Sequence, residues 1–123
     1  MSEARIRASI DAYIAAWNER DAAARLRLIS RGCAADLRLH TPGRRIEGHA
    51  AFDAMIAEFQ GRRPGLRAVL SSAVDIQGHL FRYAGSVAGA AGPLGGDVLD
   101  TGECDDDGRI RVLLTFVGTT LPG

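Results

Sequence analysis

Apolar residues first recur at helical spacing. Ile6, Ile10, Tyr13, Ile14 and Trp17 form one stripe, so the spacing predicts an N-terminal helix with a single buried face. Ser2 is a suitable N-cap and Glu3 suits the positive end of that helix, which should close near Asn18 to Arg20. Asp21 can cap a second, short helix through Ala22, Ala23 and Ala24, with Leu26, Leu28 and Ile29 as its apolar positions and Gly32 breaking it. From Ala34 to His40 the pattern alternates, which predicts a strand with Leu37 and Leu39 inward, followed by a turn at Thr41-Pro42-Gly43. Phe52, Met55, Ile56 and Phe59 mark a third helix from about His49 to Gln60, with Gly61 as its stop. The period then changes to two. Leu66 to Ile76, Leu80 to Ala88, Val98 to Asp105 and Arg109 to Val117 read as strands, joined at Gln77-Gly78, Gly89 to Gly96 and Asp105 to Gly108. Three helical segments and a meander predict an α+β fold with a mostly antiparallel sheet.

Composition narrows the function classes. A chain of 123 residues, 46% hydrophobic and 24% charged, is expected to form one domain over residues 1–123 with one core. Fifteen basic residues balance fifteen acidic ones, which argues against a nucleic-acid or anionic-membrane partner. No apolar run reaches spanning length, and the mixed charges of Met1 to Arg7 do not begin a secretory leader, so a cytoplasmic location is expected. Cys33 and Cys104 lie far apart outside any C-x-x-C context and read as buried, reduced thiols. In the last strand Val112, Leu114 and Phe116 face one way and Leu113, Thr115 and Val117 the other. Both faces are substantially apolar, so helices should cover one and a second copy of the chain the other, predicting a homodimer packed sheet to sheet.

Four stretches carry a family resemblance: Y-I-A-A-W-N-E-R-D (Tyr13 to Asp21), I-E-G-H-A-A-F-D-A-M-I (Ile46 to Ile56), F-R-Y-A-G (Phe81 to Gly85) and D-D-G-R-I-R-V-L-L-T-F-V-G (Asp106 to Gly118). In this order and spacing the chain resembles the SnoaL-like and ketosteroid-isomerase-like branch of the nuclear transport factor 2 (NTF2)-like superfamily. The resemblance implies a cone-shaped (cystatin-like) fold: three N-terminal helical segments against a strongly curved sheet, with a largely apolar pocket open at one end. It implies no single function, because such a fold hosts isomerases, cyclases, dehydratases, hydrolases and non-catalytic binding or dimerisation domains.

In the isomerases of that family a tyrosine on the first helix and a protonated aspartic acid on a late strand donate hydrogen bonds to a developing oxyanion. The resemblance puts Tyr13 and Asp100 at those positions, and burial of Asp100 would raise its pKa and let it donate. The isomerases' base is an aspartate just before the proline that ends the first strand. Here Thr41 precedes Pro42 and cannot act as a base at neutral pH. His40 is adjacent and titrates in a suitable range, although neighbouring strand side chains point to opposite faces. Cyclases of the family use a strand aspartate near the Asp100 position as acid and base on a carbonyl compound. Trp17, Phe52, Met55, Phe81 and Phe116 are candidate walls for a small apolar ligand. His40, His49 and His79 lack metal-ligand spacing, the Asp105-Asp106-Asp107 run lacks the alternation of a calcium loop, and no phosphate-binding glycine loop is present, so neither metal nor cofactor is expected. The leading reading is binding of a small hydrophobic compound in the cone pocket, with acid/base chemistry on a carbonyl. The alternative is a non-catalytic dimerisation or binding module.

Overall fold

A computed structural model describes residues 2–89, 92–93 and 97–118. Helix α1 spans Glu3–Asn18, α2 Ala22–Gly32 and α3 His49–Arg62. The strands are β1 (Cys33–Thr41), β2 (Arg44–Glu47), β3 (Arg67–Leu70), β4 (Asp75–Gln77), β5 (Leu80–Gly89), β6 (Gly92–Pro93), β7 (Val98–Cys104) and β8 (Ile110–Val117). They form one sheet in the order β2-β1-β8-β7-β5-β3, with β4 and β6 also paired to β5. β1 and β8 run parallel and the other pairs are antiparallel. This is the cone-shaped α+β fold of the NTF2-like kind, its curved sheet wrapped against α1.

Local chemistry fixes the helix starts. The Ser2 side chain accepts from the Arg5 N–H, and Asp21 accepts from the Ala24 N–H at 2.9 Å, so α1 and α2 each begin on a side-chain cap, while α3 begins on Gly48 without one. α1 buries Ile6, Ile10, Tyr13 and Ala16 against the sheet. The core gathers these with Ile29, Leu37, Leu39, Phe52, Ile56, Ile110 and Leu113. Cys33 and Cys104 are buried and unpaired, and burial pushes their thiols up to about 12 and about 11. Gly102 lets the sheet bend: a Cβ there would run into the Val112 carbonyl and the Phe81 ring, beside the register shift between Glu103 and Cys104.

Several expectations change. The stretch expected as one strand from Leu66 to Ile76 divides into β3 and β4, two separate partners of β5. β2 follows the Pro42-Gly43 turn and pairs back on β1, an element the pattern did not announce because Ile46 is its one buried residue. α3 runs past Gly61 to Arg62. Leu26 is exposed, while Ile29 is buried as expected and Arg25 joins it on the buried face of α2. Arg25 Nε donates to Asp53 Oδ1 at 2.6 Å and its guanidinium reaches the Glu19 carbonyl at 3.1 Å, so its charge is compensated. His49 is partly buried: its Nε2–H donates to the Cys33 and Ala34 carbonyls at 3.0 and 2.9 Å, tying the start of α3 to β1. The connection expected at Gly89 to Gly96 lies mostly outside the described residues. Among them no helix is long and apolar enough to cross a membrane.

Candidate active site

Three strands bring one polar row together. The register pairs Tyr83 of β5 with Asp100 of β7, and Asp100 with Thr115 of β8. Directly paired residues of an antiparallel sheet share a face, so the three side chains meet on the concave side. The Tyr83 hydroxyl donates to Asp100 Oδ2 at 2.6 Å, and the Thr115 hydroxyl donates to Oδ1 at 2.7 Å. Asp100 is only 5% exposed, and among the described residues no cation pairs with it.

Across from this row α1 presents Tyr13 and Trp17, one helical turn apart and so on one face. Between helix and sheet lies a cavity of about 270 Å³, bounded on the sheet side by small or branched residues including Ala68, Val69, Gly85, Val87 and Val98. Tyr13, Tyr83, Asp100 and Thr115 supply its polar groups together with Thr41 and Ser86. Among the described residues no arginine or histidine lines it, and Asp100 is its one acidic residue.

Burial raises the Asp100 pKa, and the hydrogen bonds from Tyr83 and Thr115 act against that rise. Burial also raises both phenols, Tyr13 with the charge of Asp100 adding to it, and Tyr83 with Tyr13 and Asp100 adding in turn. Both phenols therefore keep their protons. Tyr83 must be a donor to Asp100, while no protein acceptor within hydrogen-bonding distance of the Tyr13 hydroxyl is found among the described residues. The site thus holds one buried carboxyl able to take or give a proton, and one phenol across the same cavity.

Of the residues singled out from the sequence, Tyr13, Trp17 and Asp100 line this cavity. Phe52 does not. It is fully buried behind the wall, stacked on Tyr13 at 5.3 Å and edge-on to Trp17 at 5.5 Å. Met55 is likewise core, on the buried face of α3. Phe81 shares the inward face of β5 but lies nearer the closed end, stacked at 6.1 Å against Tyr83 and over Gly102. Phe116 is 63% exposed, because the inward turn of Thr115 sends its neighbours to the outer face. His40 fails for the same geometric reason: Leu39 is buried and Thr41 lines the cavity, so His40 between them is directed away from it. Arg82, a conceivable partner for Asp100, pairs with Asp75 at 2.9 Å instead. Sequence reasoning missed Tyr83 and Thr115. The signal for Tyr83 was present, since it stands two residues after Phe81 and so shares its face, but its partner depends on register. Among the described residues no three His, Cys, Asp or Glu side chains gather as a metal site would need.

No protein-family model and no curated protein matches the chain. Solved structures do. The chain is similar to a candidate isomerase of the SnoaL-like family from Agrobacterium tumefaciens, at 27% identity and a TM-score of 0.85, over 94% of this chain and 99% of that one. It shares the fold of a candidate polyketide cyclase from Sinorhizobium meliloti, at 18% identity and a TM-score of 0.68, over 88% and 93% of the two chains. It also shares the fold of a SnoaL-like protein of unknown function from Burkholderia thailandensis, at 19% identity and a TM-score of 0.70, over 97% and 99%.

Proposed function

We propose, for a chain that belongs to the SnoaL-like group of the NTF2-like superfamily, that the cavity binds a small hydrophobic carbonyl or hydroxyl compound and that Asp100 moves a proton on it. One observation carries the reading: a carboxyl with 5% exposure faces an apolar cavity, held at both oxygens by hydroxyl donors and paired with no cation among the described residues. The Tyr83 donation makes Asp100 an acceptor rather than the donor expected from the isomerase pattern. Asp100 then serves as the base that Thr41 cannot be, and Tyr13 is the donor to the ligand oxygen. A proton leaves the carbon beside the carbonyl for Asp100, the charge gathers on the oxygen under the Tyr13 hydroxyl, and Asp100 returns the proton to a carbon of the same molecule. An isomerisation needs no more than this, and an intramolecular aldol closure differs in that the enolate carbon bonds to a second carbonyl carbon and Asp100 returns the proton to that carbonyl's oxygen. A volume of about 270 Å³ suits a one- or two-ring compound, since roughly 150 Å³ holds benzene.

α-Tetralone, a two-ring ketone, tests the reading. Trp17 is the chain's one tryptophan and lines the cavity, so its fluorescence reports binding. Exchange of the protons beside the carbonyl into deuterated water reports proton transfer. Wild type should bind and exchange, and Asp100→Asn should lose the exchange. Equal exchange rates would remove Asp100 from any acid/base role. Binding without exchange favours the second reading, a non-catalytic binding or dimerisation module.

The second reading draws on the outer face of β8, where Leu114 and Phe116 are 36% and 63% exposed. We propose that a second copy of the chain covers this face. Sedimentation at micromolar concentration should give twice the chain mass, and a monomer mass ends the dimer.

A further inference from the structure

The last residue of α1, Asn18, does an unusual job. Its side-chain Nδ2 donates to the Ala68 carbonyl at 2.8 Å, and the Ala68 N–H donates back to its Oδ1 at 2.7 Å. Among the described residues β3 pairs with β5 alone, so the amide of Asn18 stands where the backbone of a further strand would be. The clamp adjoins the cavity on both sides: Trp17, which lines it, precedes Asn18, and Ala68 and Val69 line the opposite wall. Asn18 itself is not part of the lining.

The helix side of the clamp is anchored independently. Gln60 Nε2 donates to the Trp17 and Glu19 carbonyls at 3.1 and 2.9 Å. Arg25 Nη1 donates to the same Glu19 carbonyl at 3.1 Å and to Gln60 Oε1 at 3.3 Å. The end of α1 is therefore fixed to α2 and α3, while a four-residue edge strand hangs on it through one side chain. Val69 and Ala68 are only partly buried, so apolar packing does little to hold β3 at its present distance from Trp17. The polar row Tyr83-Asp100-Thr115 lies on other strands and takes no hydrogen bond from the clamp.

We infer that Asn18 is a positioning residue that sets the largest ligand the cavity admits, by fixing the gap between Trp17 and β3. The inference rests on the cavity being the ligand site. Releasing the clamp widens one wall and leaves the polar anchor in place, so it changes size selection rather than affinity in general.

The experiment titrates the Trp17 fluorescence of wild type, Asn18→Ala and Asn18→Asp with α-tetralone and with the three-ring ketone anthrone. Wild type should prefer α-tetralone by about tenfold or more, the range that size discrimination in an apolar pocket reaches. Asn18→Ala should bring the ratio near one through a gain in anthrone affinity. Asn18→Asp keeps the acceptor for the Ala68 N–H but turns a carboxylate on the Ala68 carbonyl, and should fall between; it carries the test should Asn18→Ala not fold. A parallel change for both ketones, with the ratio held, overturns the inference and leaves Asn18 a structural residue. Failure of the site reading looks different: α-tetralone then does not bind wild type, or binds a cavity-filling Val98→Phe variant equally well, and the inference falls with it.

Discussion

The two halves of α1 face the same sheet and meet opposite surroundings. Toward the N-terminus Ile6 and Ile10 are fully buried, and the Ser9 hydroxyl reaches across to the Gly108 carbonyl at 2.6 Å. Gly32 packs there so closely that a Cβ would sit 2.7 Å from the Ser9 carbonyl oxygen. Toward the C-terminus Tyr13 and Trp17 look onto empty space, because the strands opposite offer alanine, valine, glycine and serine. The difference teaches how a small protein keeps a cavity open. One end is packed solid with large aliphatic side chains and holds the walls at their spacing. Small strand residues then leave room at the other end. Phe52 belongs to the solid end yet braces both cavity aromatics from behind.

Substitutions can break or sharpen that contrast. Ile10→Ala at the packed end should cost about 2–5 kcal/mol in urea denaturation, the range for deleting a large buried aliphatic. A cost below about 1 kcal/mol would mean that the closed end is looser than described. Arg25→Leu, which removes the α2 arm of the network at the end of α1, should cost about 2–3 kcal/mol, since the partly buried Asp53 loses its cation and the Glu19 carbonyl keeps Gln60 as its one donor among the described residues. Val98→Phe puts bulk into the cavity instead. It should change stability by less than about 1.5 kcal/mol while abolishing α-tetralone binding, the reverse of Ile10→Ala. Equal losses of stability at Ile10 and Val98 would erase the distinction between the two ends.

The smallest effect is electrostatic. Asp100 titrates above the ordinary carboxylate value of 3.8 because burial opposes its charge. The folded chain therefore keeps this proton to higher pH than the unfolded chain does. Stability relative to Asp100→Asn should fall as pH rises from about 3.8 through the raised folded value and level off beyond it. Paired denaturation curves across that range check the sign, and a difference independent of pH would deny the shift.

The sequence made the helices readable because their apolar stripes are long and the starts of α1 and α2 carry their own caps, Ser2 and Asp21. Alternation likewise revealed β1, β7 and β8 to within a residue or two. Short elements escaped: β2 buries Ile46 alone, and Ser71 to Val74 interrupt what reads as a continuous alternating run. The site was half legible for a deeper reason. Asp100 and Tyr13 could be named from resemblance, but Tyr83 and Thr115 act through register. Register across the Gly89 to Gly96 connection is not encoded in any local pattern. The walls assigned to Phe52, Phe81 and Phe116 show the same limit, since an aromatic on the proper stripe can lie in a cavity wall, behind it, or outside it.

β8 lies between β1 and β7 although every other strand precedes it in the chain. Until it inserts, β2–β1 and β7–β5–β3 are separate sheets with facing open edges. The parallel pairing of Cys33 with Ile110 must also close a loop through most of the chain. Folding should therefore be slow for a domain of this size, with its aggregation hazard concentrated in the interval before β8 docks. Because β8 also brings Thr115 to Asp100, the hydrogen-bonded row on that carboxyl is completed at the same moment as the sheet.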